Sequence, residues 1–378
     1  MISASERPLT RQPWARRARS LFTAQSLPER NWKVRGGNVS LLATAQVARE
    51  GWRRLDLRHP NERALLCAIQ DAYLHRTGSV AVDALADVLG LKRITREAVG
   101  QASNELDRSL LGFLRRSISG IHPYLLLETV VVPVKTGGSV RPATVVLAIG
   151  VRGSGHRDVL GADVTDDLNA GVWLQFLRDL CRRGLDGVRL VTADDHAGLQ
   201  LALRAALPRA AWQRCLTHFL RDALEAVPAS ARPFAAATLR RIFAQPDREA
   251  ARRAVERVTR RIARRNPGLA HLLRQADPAC LTYFGFPAEH RRQIWSTNAE
   301  RLVSELARRC ELVGIFPSRR ALLRLVAEVL EQQDAGWRAA GPYRRGASES
   351  VLSLREMVQP FRQINVRSSG GALVGAAV

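Results

Sequence analysis

The stretch from Tyr124 to Cys215 constrains the fold more than any other. Tyr124 to Val134 is a Leu/Val run broken by one acid, Glu128, and reads as a strand. Gly137 and Gly138, between Thr136 and Ser139, mark a hairpin turn. Ala143 to Val151 is a second apolar strand, Gly153 to Gly155 a second turn, and Asp158 to Val164 a third strand. Asp166 and Asp167 then open a helix through Trp173, Phe176, Leu177 and Leu180, the acids favourably placed at its positive end. Val188, Leu190 and Val191 make a short buried strand that stops at Asp194 and Asp195. Helical spacing resumes over Ala197 to Leu207, and Ala211 to Cys215 is a last short strand.

The order β-β-β-α-β-α-β resembles that of the ribonuclease H-like fold, an α/β architecture around a mixed sheet. That likeness implies one metal-binding acid on the first strand and another at the end of the fourth, the places held by Glu128 and Asp194. Open α/β sheets carry their chemistry where a strand's carboxyl end meets the next helix. Strand alternation sets Glu128 on one face with Tyr124, Leu126 and Val130, where a carboxylate costs several kcal/mol unless paired, hydrogen-bonded or metal-bound. Asp194 and Asp195 can also cap the helix that follows; Asp194 is the preferred ligand. Two acids from neighbouring strands and a third from a helix can hold Mg²⁺ ions, with Mn²⁺ as substitute, for phosphodiester transfer. Glu300, Glu305 and Glu311 are the candidate third acids, and Glu300 is preferred because it follows the run Trp295 to Asn298.

Around this core the chain divides further. Residues 1–30, interrupted by Pro8, Pro13 and Pro28, read as a disordered basic arm, and 31–57 holds short strand-like pieces. Apolar residues at helical spacing predict a helix over 61–75 and another over 79–89. A turn at Gly90 to Lys92 leads to a third helix capped by Thr95 and running to Leu114. Helix, turn and basic helix are the ingredients of a helix-turn-helix, so 31–120 is the expected N-terminal DNA-binding region. The core then spans 121–216. Residues 217–290 are Arg- and Ala-rich, spaced by six prolines and without a strand signal, and read as a helical insertion. The core returns over 291–340 with a helix from about Asn298 to Arg309 and another to about Gln333, and 341–378 is a flexible tail.

The chain carries 58 basic residues against 35 acidic ones, a net charge of +23. Lys33, Lys92 and Lys135 are its lysines, so the surplus is arginine, whose planar fork suits phosphate. A polyanion partner, most simply nucleic acid, is expected. Five scattered cysteines give no disulfide framework, no apolar run reaches the roughly 18 residues of a membrane span, and the arginine-rich N-terminus lacks a signal-peptide core. A cytoplasmic protein with no membrane partner is expected. Cys215 and His218 alone do not make a zinc site, and Gly150 to Gly155 does not open a helix as a phosphate loop would.

With these residues assembled, the chain resembles the Mutator-type bacterial insertion-sequence transposases of the DDE class, from about Asn31 to Trp337. Four stretches carry the likeness: Gly184 to Leu199, Ala211 to Phe219, Ile294 to Asn298, and Val313 to Pro317. The resemblance implies an N-terminal DNA-binding region, a ribonuclease H-like core with an all-helical insertion, Mg²⁺, and recognition of terminal inverted repeats and target DNA. Glu128, Asp194 and Glu300 become the catalytic and metal-binding triad. Arg93, Arg96, Arg214, His218 and Arg301 are the candidate DNA contacts, and a homodimer or higher oligomer is expected because two element ends must meet. Three positions depart from the family pattern. Glu128 stands where the family has aspartate, Ser296 to Glu300 is one residue shorter, and Val303 replaces a polar residue. A missing residue inside a helix would turn Glu300 by about 100°; in a loop before the helix the change is milder. The alternative expectation is a degenerate copy that binds DNA without cutting it.

Overall fold

The computed structural model describes residues 31–34, 37–40, 60–78, 82 and 91–342. The expected arm over 1–30, most of the helix over 79–89 and nearly all of the tail from 341 lie outside the described residues.

In chain order, β1 (Asn31–Val34) pairs antiparallel with β2 (Gly37–Ser40). Next come α1 (Pro60–Leu74), a 3₁₀ turn over Leu91–Arg93, and α2 (Arg96–Leu114). The central sheet is built by β3 (Tyr124–Thr136), β4 (Ser139–Val151), β5 (Arg157–Thr165), α3 (Ala170–Arg182), β6 (Leu190–Ala193), α4 (Ala197–Ala206) and β7 (Ala211–Arg214). Among the described residues, helices follow: α5 (Leu216–Glu225), α6 (Arg232–Phe243), α7 (Arg248–Ile262), α8 (Pro267–Ala279), α9 (Arg291–Ile294), α10 (Glu300–Val313) and α11 (Arg319–Ala340). The expected β-β-β-α-β-α-β order is present, with ends displaced by a few residues.

The sheet has the order β5-β4-β3-β6-β7, parallel between β3 and β6 and between β6 and β7, and antiparallel between β4 and β5. A two-residue turn joins β3 to β4. Gly137 and Gly138 both sit at positive φ, 57° and 81°, as tight hairpin turns require. Two helix starts differ from expectation. The cap of α3 is Asn169, whose side chain accepts the Val172 amide at 3.1 Å, so Asp166 and Asp167 lie outside it. The cap of α4 is His196, whose Nδ1 accepts the Leu199 amide at 3.3 Å, and neither preceding aspartate does that job.

Strand alternation divides the sheet into two faces. Leu125, Leu127, Val191 and Ala193 pack with Trp173, Phe176 and Leu177 of α3 and with Leu199 and Leu203 of α4, each large side chain contributing about 1.5–3 kcal/mol of burial. The opposite face is apolar but studded with buried polar groups, each of which needs a partner. Thr192 donates to the Ile294 carbonyl at 2.6 Å. Gln213 donates to the Cys280 carbonyl at 3.1 Å and accepts the Tyr283 amide at 2.9 Å. The chain between Cys280 and Ile294 is thereby pinned across this face.

The molecule forms two compact units. One takes in the chain to Leu111, Val132–Pro142 and Leu306–Glu328. Within it, buried Asp107 pairs with Arg324 at 2.8 Å and with Arg320, and Glu328 accepts the amides of Ala64 and Leu65 at 3.1 and 3.2 Å. Thr95 accepts the Ala98 amide at 3.2 Å, the expected cap of α2. The other unit comprises Gly112–Val131, Ala143–Glu305 and the chain from Val329. In it α6 and α8 pack on α5, and α7 on α6 and α8. Tyr283 donates to the Phe243 carbonyl and Arg291 to the Pro246 carbonyl, both at 3.1 Å, which ties the end of α6 to the chain after α8. Residues 217–290 contain helices and no strand. Among the described residues no helix is long and apolar enough to cross a membrane.

Candidate active site

The site grows from the β3–β6 register. Leu126 lies opposite Thr192; two residues further along β3 comes Glu128, and Asp194 follows directly on the end of β6 at Ala193. β7 ends beside them, and α5 begins at once with Cys215 as its N-cap. One face of α5 then presents His218, Arg221 and Asp222, spaced i, i+3, i+4. Across from it run Trp295 to Asn298 and the first turn of α10. The Leu216 amide donates to the Trp295 carbonyl at 3.0 Å, and the Thr297 amide approaches the Cys215 sulfur at 3.5 Å.

Glu128 is buried, and both its oxygens are engaged. Oε1 lies 3.1 Å from Nε2 of His218, and Oε2 accepts the Thr297 hydroxyl at 2.6 Å. Burial opposes the charged carboxylate, but His218 and the Thr297 hydroxyl outweigh it and hold Glu128 below its ordinary value. Burial likewise opposes an imidazolium at His218, and the Glu128 charge overcomes that to push it well above its ordinary value. The two form a buried ion pair.

Asp194 is half-buried, its Oδ1 accepting the Asp195 amide at 2.8 Å and its Oδ2 lying 3.8 Å from Arg221. Burial, then the Asp194 charge, push Asp222 up, against Arg214 and Arg221. Asp195 is exposed and takes Gln200 at 3.0 Å, so the two adjacent aspartates have different surroundings. Glu300, the first residue of α10, accepts the Thr217 hydroxyl at 2.8 Å and the Ser296 hydroxyl at 3.1 Å. Glu300, the preferred third acid, is thus joined to this network. Asn298 precedes it in the left-handed region, φ 49°, so the spacing from Ser296 to Glu300 is set by a loop and not by helical turns.

These carboxylates supply the hard oxygen donors that Mg²⁺ takes. As placed, however, they do not form its cage. Glu128 is committed to His218 and Thr297, and among the described residues no three His, Cys, Asp or Glu side chains are placed to hold a metal ion. The residues expected to face DNA divide. Arg93, Arg96 and Arg301 are exposed. Arg214 and His218 are buried: Arg214 bonds Asp222 at 2.6 Å and lies over the Phe219 ring, and His218 holds Glu128. Burial and these partners make them internal supports of the site. Sequence reasoning missed Thr217, Ser296, Thr297, Arg221 and Asp222. The signals were a polar run between apolar Ile294 and Leu302, and the helical spacing of His218, Arg221 and Asp222.

The family profile described as "Transposase, Mutator family" matches residues 54–340, which include every residue of this site. The chain belongs to the Mutator family of transposases. Family members similar to it include the transposase for insertion sequence element IS1081 of Mycobacterium tuberculosis, 37% identical over 285 residues, covering 75% of this chain and 69% of that protein. The transposase for IS406 of Burkholderia multivorans is 36% identical over 286 residues, 75% of this chain and 74% of its own. The transposase for IS256 in transposon Tn4001 of Staphylococcus aureus is 27% identical over 282 residues, 73% and 72% of the two chains. The match of this Mutator-family chain runs through both compact units.

Proposed function

We propose that this chain is a DDE-class insertion-sequence transposase that binds terminal inverted repeats and cleaves and joins DNA strands at Glu128, Asp194 and Glu300. The observation that carries the reading is their placement. Glu128 stands on β3 and Asp194 directly follows β6, the strand parallel to it, and the loop that begins the helix of Glu300 is bonded to Glu128 through Thr297. The sheet order, three hairpin-linked strands followed by two parallel ones, supports a ribonuclease H-like core. The reaction class is hydrolysis of a phosphodiester at the element end, then attack of the freed 3′-hydroxyl on a target phosphodiester. Mg²⁺, with Mn²⁺ as substitute, belongs to the proposal on donor chemistry alone. Exposed Arg93 and Arg96, at and after the turn before α2, are the proposed DNA contacts of a helix-turn-helix-like region, with Arg301 near the acids. An oligomer on DNA and a cytoplasmic, nucleoid-associated location complete the reading.

Purified protein is expected to nick a repeat-end duplex when Mg²⁺ or Mn²⁺ is added and to stop when it is chelated. Asp194→Ala is expected to lose cutting while still binding the duplex. Cutting by Asp194→Ala at the wild-type rate would sink the assignment. A protein that binds but never cuts, with either ion, would favour a degenerate copy.

A further inference from the structure

We propose that the hairpin of α7 and α8 is a second DNA-binding surface, gripping the phosphate backbone of duplex DNA without regard to sequence. The proposal rests on the transposase reading for the identity of the polyanion. From Arg257 to Ala276 the chain contains Arg257, Arg260, Arg261, Arg264, Arg265 and Arg274 and no Asp or Glu. All six arginines are exposed. Among the described residues none of their side chains forms an ion pair or hydrogen bond.

The first half of the same helix is built differently. Arg248 and Arg252 pair with Asp277 at 3.2 Å, and Arg253 pairs with Glu249 at 3.4 Å. Charge compensation is therefore available to this helix and ends abruptly at Glu256. Arg260 and Arg261 in the last turn gain from the negative end of the helix dipole. Arg257, one turn earlier, lies outside that effect. Arginines at Arg257 and Arg261 are neighbours at i, i+4 and repel, and a bound polyanion removes the repulsion. Arg257 and Arg274 lie about equally far from the connecting turn on their two helices, so the cations are gathered along one hairpin and not strung out.

The apolar face of α7 says which polyanion. Ala251, Ala254, Val255 and Ile262 are buried, with α6 and α8 packed against the helix. A helix that lies on a membrane needs that face free for lipid. What remains outward beyond Glu256 is chiefly arginine, whose fork matches a phosphate. The surface is also tied to the site, because α6 and α8 pack on α5, which carries His218, Arg221 and Asp222. DNA held here would lie on the helices that support the acids.

The test is a salt titration of binding by the full-length chain, read by fluorescence anisotropy on a labelled repeat-end duplex and a scrambled duplex. Replacing Arg257, Arg261, Arg264 and Arg274 together by Gln is expected to flatten the dependence of log affinity on log salt by ~0.9 for each phosphate that is no longer neutralised, about equally for both duplexes. The same four changed to Lys should keep most of the slope, which separates removal of charge from damage to the fold. Arg248, Arg252 and Arg253 changed to Gln should alter it by less than the step for one phosphate. An unchanged slope in the first variant, with wild-type binding intact, overturns the surface and leaves the transposase reading standing. A weakening confined to the repeat-end duplex overturns sequence independence, and a wild-type chain that binds neither duplex overturns surface and reading together.

Discussion

His218 and Glu128 stand ninety positions apart in the chain and 3.1 Å apart in the fold. Breaking a buried ion pair from one side leaves an uncompensated charge, which costs about 3–5 kcal/mol. His218→Ala is therefore expected to lower the free energy of urea unfolding by an amount in that range, and adding Glu128→Gln to recover part of the loss. Equal losses in the single and double variants would mean the pair contributes nothing beyond packing. The pH dependence has two limbs. Folding raises His218, so its contribution is complete below its ordinary value of 6.5 and fades as pH rises through the raised value. Folding lowers Glu128, so its contribution is complete above 4.5 and fades as pH falls through the lowered value. Stability from the pair is expected to be greatest between 4.5 and 6.5, and His218→Gln to lose the alkaline limb, as followed by thermal melts across pH. Glu128→Asp keeps the charge and withdraws it by one methylene. Increased DNA cutting in that variant would identify the extra methylene as a lesion.

At the scale of elements, the position of Glu300 depends on how the chain enters α10. Asn298 holds φ 49° and donates to the carbonyls of Gln293 at 2.9 Å and Ser296 at 3.0 Å. Asn298→Gly keeps the conformation and loses the bonds, at about 0.5–1.5 kcal/mol each. Asn298→Ala adds the left-handed penalty of about 1–2 kcal/mol. Melting temperature and cutting rate are both expected to fall in the order wild type, Gly, Ala; an Ala variant equal to the Gly variant would remove the conformational argument. The sequence made the strands of this unit readable because Leu/Val runs and paired glycines act within a few residues. Asp194 was readable for the same reason, at the end of such a run. The cap of α4 was not, because two aspartates precede His196 and caps are decided by geometry that adjacent polar residues share. Nor was the commitment of Glu128. Its partners come from α5 and from the loop before α10, and no local spacing reports a meeting of residues 128, 218 and 297.

For the whole molecule, the sequence suggests an N-terminal DNA-binding region over 31–120, and the compact unit that holds α1 and α2 is assembled from three pieces of chain. Its buried charges explain the dependence. Asp107 on α2 is buried and answered by Arg320 and Arg324, and the amides of Ala64 and Leu65 on α1 are answered by Glu328. Those partners come from more than two hundred residues downstream. A fragment ending at Gly120 retains the helices and loses every one of these partners. It must either expose Asp107 and the apolar faces of α1 and α2 or leave a charge buried alone, a loss of several kcal/mol set against a stability that for a small domain is about 5–15 kcal/mol in total. Residues 1–120 expressed alone are therefore expected to show helical circular dichroism without a cooperative urea transition, while the full chain unfolds cooperatively. In the full chain, Arg324→Ala should destabilise this unit by about 3–5 kcal/mol. A sharp, cooperative transition in the fragment would establish that α1 and α2 form an independent domain and that the downstream arginines and Glu328 are dispensable to it.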